Sequence, residues 1–422
     1  MPRGQRSSQP IASPKGRTAV LCIDLQPGGT MKENVLTFMD LSRWAAALLV
    51  VVNHARSLIL VDFGGVQNKS VFSKVLYLAT GLGHEAVVIF FVISGFLVGG
   101  LTLERWQFRG PDIRTYASAR VSRIYTTLIP ALIIGAALDF IGLRWFNSST
   151  IYTSVSQYHI ASINYTIVSA MTLPTFIGNL FMMQGTLTQP LGSNGALWSL
   201  AYEWWYYCIF ACTAAAMTGS GNKRFAYLMA ALLIAMLLPA KLVLWGLIWV
   251  VGIVTHRWIK STAWRPAPIV GIGCFIAALT ASRLSHNVAA FETNLPGSFL
   301  RDFVLGICYA TALASSSRLS RPMRFARWHQ ELARFSYTTY LFHLPALLFI
   351  CAAAYQVAGL PFPQQPHLAG IGYLLGAILL AYAYCLAMST VTERYTSNVR
   401  QRLDALVGWA SPRIRPSRAP EA

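Results

Sequence analysis

Ten apolar stretches recur between Leu41 and Thr392, each near the length of a membrane crossing, and they leave the chain one class of fold. They occupy 41–63, 84–103, 122–141, 197–217, 225–239, 241–255, 268–282, 300–315, 336–357 and 370–392. About 20 apolar residues in a helix rise ~30 Å, the thickness of the hydrocarbon core. The expectation is an all-α integral membrane protein: a polytopic bundle of about ten transmembrane helices with no soluble catalytic domain. The stretches 225–239 and 241–255 are short and meet at Pro239. They read as a tight hairpin or as one broken element, which leaves nine or eleven crossings open. Composition excludes a soluble chain, since only 12% of residues are charged, against about 25% in soluble domains.

A net charge of +19 would suit nucleic acid, but the placement of the basic residues decides against that partner. Counting alternate connections, 27 of the 34 Lys and Arg fall on one side of the bundle and seven on the other. A bias that holds at every alternation puts both termini in the cytoplasm and the long polar connection 142–196 outside. Residues 1–35 read as a disordered cytoplasmic tail, 36–395 as the membrane domain and 396–422 as a basic cytoplasmic tail. No secretory signal is visible, and Met31 stands as an alternative start. The 142–196 connection is rich in Ser, Thr, Asn, Gln and Tyr, and reads as a lid or an acceptor platform. The seven cysteines lie mostly in apolar runs without metal spacing, so they read as reduced core residues, and no metal site is expected.

Several ionisable residues sit where hydrocarbon should reject them. Arg43 and His54 are eleven residues apart, three helical turns, so they share one face with a rise of about 16 Å between them. Arg43 falls near one membrane surface and His54 deep inside. A snorkelling Arg and a structural His would explain each alone, whereas together they point to a functional interior. Trp198, Ser199 and Glu203 open the fourth stretch, with the carboxylate set among Trp204, Trp205, Tyr206 and Tyr207. This is either an interfacial aromatic belt or a partner that orients and charges an intramembrane imidazole. His84 and Glu85 stand at the outer end of the second stretch, and Ser94 and Gly95 lie within it. Gly95 and Gly99 form a small-residue pair that lets a neighbouring backbone come close. Arg120 and Arg123, three apart at the mouth of the third stretch, fit the general basic bias or the phosphates of an activated donor. Tyr337 and His343 lie in Ser336–Pro345, where a lone histidine reads as structural.

Taken together, these segments resemble the acyltransferase family 3 membrane proteins, from about Phe38 to Glu393. The match rests on five motifs in order. They are Arg43 with His54, Phe90 to Phe96, Arg120 with Arg123, Trp198 to Glu203, and Ser336 to His343. The resemblance implies transfer of an acyl group, often acetyl from acetyl-CoA or another acyl-CoA, with no bound cofactor. The acceptor would be a hydroxyl on an extracytoplasmic or envelope glycan, lipid or small molecule, and the location a bacterial cytoplasmic membrane. Arg43, Arg120 and Arg123 would hold the donor, His54 would act as general base, and Glu203 would assist it. An acyl-His intermediate is the alternative route. The chain closes soon after the tenth stretch, where some members carry a fused esterase-like domain, and its N-terminal extension exceeds what the resemblance needs. A transporter or flippase using the buried Arg, His and Glu is the rival reading, and a binding-only sensor the third. Oligomeric state is not legible in the sequence.

The charge bias yields a direct expectation. Cysteine placed at Ser154 should react with a membrane-impermeant thiol reagent in intact cells, and cysteine placed at Ser220 should not. Opposite labelling would invert the bundle.

Overall fold

A computed structural model describes residues 29–154, 158, 160–261, 264–286 and 288–408. The parts of the expected tails at 1–28 and 409–422 lie outside the described residues. Helix α1 (Gly29–Ile59) is followed by the short α2 (Val71–Ala79) and by α3 (Gly83–Ser94). A π-helical turn at Gly95–Gly100 carries α3 on into α4 (Leu101–Arg109). α5 (Ile113–Trp145) then leads into a long connection that holds α6 (Leu173–Leu180). After it come α7 (Trp198–Thr218), α8 (Lys223–Leu237), α9 (Ala240–Ser261) and α10 (Pro268–Ser285). The one-turn α11 (Ala289–Glu292) precedes α12 (Leu295–Ser316) and the amphipathic α13 (Ala326–Arg334). α14 (Ser336–Ala358), α15 (Leu368–Val391) and α16 (Thr396–Leu406) complete the order, and no strand occurs among the described residues.

The protein is an all-α polytopic bundle. Eight of its helical segments are long and apolar enough to cross a membrane. The other two expected stretches are helical as well. α7 carries Glu203 among Trp and Tyr and is less apolar, while α8 has 15 residues and is short. Extended backbone at Leu238 separates α8 from α9, which resolves the ambiguity at Pro239 into two helices. α1 lies at the centre, packed against α3, α12, α13, α14 and α15. Its start at Gly29 takes in residues expected to belong to the tail. Asn34 is fully buried there and holds the turn after α12, donating to the carbonyls of Leu319 and Arg321 at 3.0 and 3.1 Å. It also accepts from the Met323 amide at 2.8 Å.

The connection between α5 and α7 is packed by buried polar groups rather than laid loosely over the bundle. Asp139 of α5 accepts from the amide and hydroxyl of Ser193 at 2.7 and 2.6 Å. Asn179 ties α6 to the segment that follows it, donating to the Gln189 carbonyl and accepting from the Leu191 amide. Pro345 inside α14 has no N–H, so the carbonyl of Leu341, four residues before it, loses its helical donor. The side-chain amide of Asn194 supplies the missing bond at 2.9 Å. One proline thereby creates the anchoring point for the connection.

α9 crosses α3 and the π turn at backbone contact. A Cβ on Gly95 would fall 1.8 Å from the carbonyl oxygen of Trp249, and one on Gly252 would fall 2.1 Å from that of Val92. Each partner atom is main chain and cannot swing aside. Gly95→Ala or Gly252→Ala should therefore lower the thermal stability of the detergent-purified protein, by about 1–3 kcal/mol or more as overpacked cores do. An unchanged transition in both would mean the helices cross at a greater distance.

Candidate active site

A cavity of about 450 Å³ opens between α1, α3, α5, α7, α14 and α16, within the range of small-molecule sites. Its charged lining is Arg43, Arg120, Arg123 and Arg400 against Glu203 and Asp404. Four guanidinium groups thus face two carboxylates. Arg43 reaches Asp40 at 3.8 Å, a loose contact. Arg123 is tightly paired with Glu393 at 2.5 Å and stacks over Tyr337 at 5.0 Å. Arg120 rests over the rings of Tyr116 and Tyr207, and its Nε is buried without a hydrogen-bond partner among the described residues. Such a group remains favourable only if an anion or water completes it.

The walls are apolar, from Phe90, Ile93, Leu97, Val98 and Leu101 on the α3–α4 side. Polar groups in the cavity are oriented by a chain with one direction. The indole of Trp249 donates to Ser94 at 3.1 Å, and Ser94 lies 3.1 Å from the hydroxyl of Tyr207. Tyr207 donates to Glu203 at 2.5 Å, so Ser94 must be the donor to Tyr207. Ser94 and Glu203, far apart in sequence, therefore belong to one network that starts at Trp249. Ser199 meets Tyr340 at 2.5 Å, and both line the cavity.

His54 and His343 lie one layer behind this lining, next to Tyr340, whose ring centroid is 6.1 Å from that of His343. His54 Nδ1 is 2.7 Å from His343 Nε2, and the rings are stacked at 5.0 Å. Both side chains are buried. The bond directions follow from chemistry. His343 Nδ1 faces the carbonyls of Thr339 and Tyr340 at 3.0 and 2.9 Å. A carbonyl only accepts, so Nδ1 carries the hydrogen and Nε2 of the neutral ring is an acceptor. His54 must then donate from Nδ1, which leaves its Nε2 as a lone pair. That nitrogen faces Ser162 Oγ, supplied by the α5–α7 connection, at 3.2 Å.

This geometry changes one expectation from sequence. The partner that orients His54 is His343 and not Glu203, whose carboxylate is held by Tyr207 in the cavity. A second pair of expected residues belongs elsewhere. His84 binds Asp302 at 2.7 Å, and Glu85 faces His286 at 3.3 Å and Ser282 at 3.1 Å. They join α3 to α10 and α12, away from the cavity. Trp198 packs edge-on against Tyr202 at 5.1 Å, outside the cavity lining.

Sequence reasoning missed Ser162, Glu393, Tyr207, Tyr340 and Arg400. The segment 396–406, read as part of a tail, is the helix α16, and it closes one side of the cavity through Thr396, Ser397, Arg400 and Gln401. Asp404 accepts from Ser118 of α5 and faces Arg400 at 3.9 Å. The signal was present in the i,i+4 pair Arg400 and Asp404, but basic composition masked it. Ser162 carries no sequence signal at all.

Comparison with known proteins identifies the family. A family model described as an acyltransferase domain matches residues 36–386, most of the chain. A stretch of 126 residues, 29% of the chain, is 32% identical to an uncharacterized protein of Haemophilus influenzae. That match spans 45% of the relative's length. No solved structure matches. The chain belongs to the acyltransferase family 3 of membrane proteins.

Proposed function

We propose that this protein is an O-acyltransferase of the bacterial cytoplasmic membrane. It moves an acyl group, acetyl above others, from a cytosolic acyl-CoA to a hydroxyl on an extracytoplasmic glycan, lipid or small molecule. The observation that carries the reading is the excess of guanidinium groups around an otherwise apolar cavity. The half-buried arginines outnumber the carboxylates of the lining, which suits an anionic ligand, and planar guanidinium forks match phosphate oxygens. An acyl-CoA has both parts, phosphates for Arg43, Arg120, Arg123 and Arg400 and a slender arm for the apolar wall. The basic mouth faces the cytoplasm in this reading, with both termini on that side and the α5–α7 connection outside.

The thioester reaches inward past Tyr340 toward the histidine pair. His54 Nε2, the lone-pair nitrogen, takes the proton of the attacking hydroxyl and passes it to the departing thiolate. His343 fixes the tautomer of His54 and shares the charge that develops. Glu203 stays in the donor cavity, where Tyr207 and Ser94 orient it. The apolar surroundings strengthen each of these interactions relative to water.

Purified protein in lipid should release CoA thiol from an acyl-CoA, which a transporter or flippase would not. Arg120→Ala and Arg400→Ala should each weaken donor binding by about 1.5–3 kcal/mol, roughly tenfold or more, with little change in expression. His54→Gln keeps a polar side chain without a titratable nitrogen and should lower turnover by roughly 10²–10⁴-fold while donor still binds. Donor binding unchanged in both arginine variants would detach the cavity from the donor, and full turnover in His54→Gln would remove the base.

A further inference from the structure

The hydroxyl that His54 Nε2 faces belongs to the protein itself. Any acceptor deprotonated at that nitrogen must either displace Ser162 or follow it. Ser162 adopts φ 71°, a region that non-glycine residues occupy at a cost. Its position is held from several sides. Ile160 and Ile163 on either side of it are buried, and the amide of Ala161 donates to Ser57 Oγ at 3.3 Å. Ser57 in turn donates to the carbonyl of His54 at 3.0 Å, so the connection is docked on the helical turn that carries the base. On the other side the Ser162 carbonyl lies against Gly195, where a Cβ would come within 2.0 Å. Gly195 precedes by one helical turn Ser199, which lines the donor cavity. Ser162 is itself exposed. A strained, exposed serine aimed at an imidazole lone pair has the arrangement of an activated nucleophile.

Resting on the acyl-transfer reading, we propose that Ser162 is a catalytic residue that carries the acyl group between donor and acceptor as an ester. In the first half, Ser162 Oγ attacks the thioester carbonyl while His54 Nε2 takes the hydroxyl proton. The C–S bond breaks, the acyl–Oγ bond forms, and the thiolate leaves with the proton from His54 as CoA thiol. In the second half the acceptor hydroxyl attacks the Ser162 ester, and His54 takes its proton. The ester C–O bond breaks and His54 returns the proton to Ser162. No oxidant or further reactant is needed. The two substrates, expected from opposite faces of the membrane, then never have to meet in one complex.

The test uses the full chain in lipid with radiolabelled acetyl-CoA and no acceptor, followed by peptide mass spectrometry. The same variants are expressed in cells whose envelope acylation is measured. Wild type should retain acyl on the peptide containing Ser162, and Ser162→Cys should retain it as a hydroxylamine-labile thioester. Ser162→Ala, and Ser162→Gly (which relieves the positive φ), should lose the label and lower cellular acylation by roughly 10²-fold at normal protein level. Undiminished acylation of cellular products in both variants would overturn the carrier role and leave the acyl-transfer reading standing. Label on another residue, His54 included, would also overturn it. Absence of both labelled protein and acylated product in wild type would instead remove the acyl-transfer reading, and the carrier with it.

Discussion

The hydrogen bond between His54 and His343 is the interaction on which the rest of the structure depends. Two imidazoles inside an apolar bundle must satisfy four ring nitrogens without water, and here each has a defined partner. The α14 carbonyls fix His343, His343 fixes His54, and His54 is left with one lone pair, which faces the Ser162 hydroxyl. That sequence of constraints needs α1 and α14 in contact at one rotational setting. The central place of α1 supplies it, and the connection after α5 closes the far side. Pro345 contributes at a distance, because the carbonyl it leaves unpaired is the one that Asn194 holds.

The arginines and the imidazole pair occupy separate compartments. The arginines surround the cavity, where a ligand's phosphates would replace lost solvation, and the imidazole pair lies behind Tyr340 and Ser199. Arg123 has the closest ion pair among these cations, with Glu393. Its pairing brings the end of α15 against α5 and so positions α16 over the cavity. The cavity is therefore built in part by the last helix of the described chain. Removing α16 would open the cavity as well as delete Arg400.

Much of the fold was legible because a membrane helix announces itself by length and apolarity alone. All ten stretches are helices, and Gly95 meets a neighbouring backbone as its small size suggested. The three-turn spacing of Arg43 and His54 also survives, since helical periodicity is a local property. What the sequence did not contain was the rotation of one helix against another. Glu203 was the expected partner of His54 and His343 read as a structural histidine, and only packing shows the imidazole pair. α16 was hidden for another reason. Its hydrophobic face is narrow, and a basic segment near a terminus resembles a solvated tail. Ser162 was beyond reach because a serine in a polar connection differs in no way from its neighbours until the backbone turns it toward His54.

The central claim is the direction of the hydrogen bonds through the two rings, because it decides which nitrogen can act as base. Nitrogen-15 NMR of the protein labelled at histidine, with His54 and His343 assigned by single substitution, reports that direction. The account predicts a protonated Nδ1 on both rings and an unprotonated, hydroxyl-bonded Nε2 on His54. A hydrogen on His54 Nε2 in the neutral resting protein would contradict it, since that nitrogen then has no lone pair with which to take a proton.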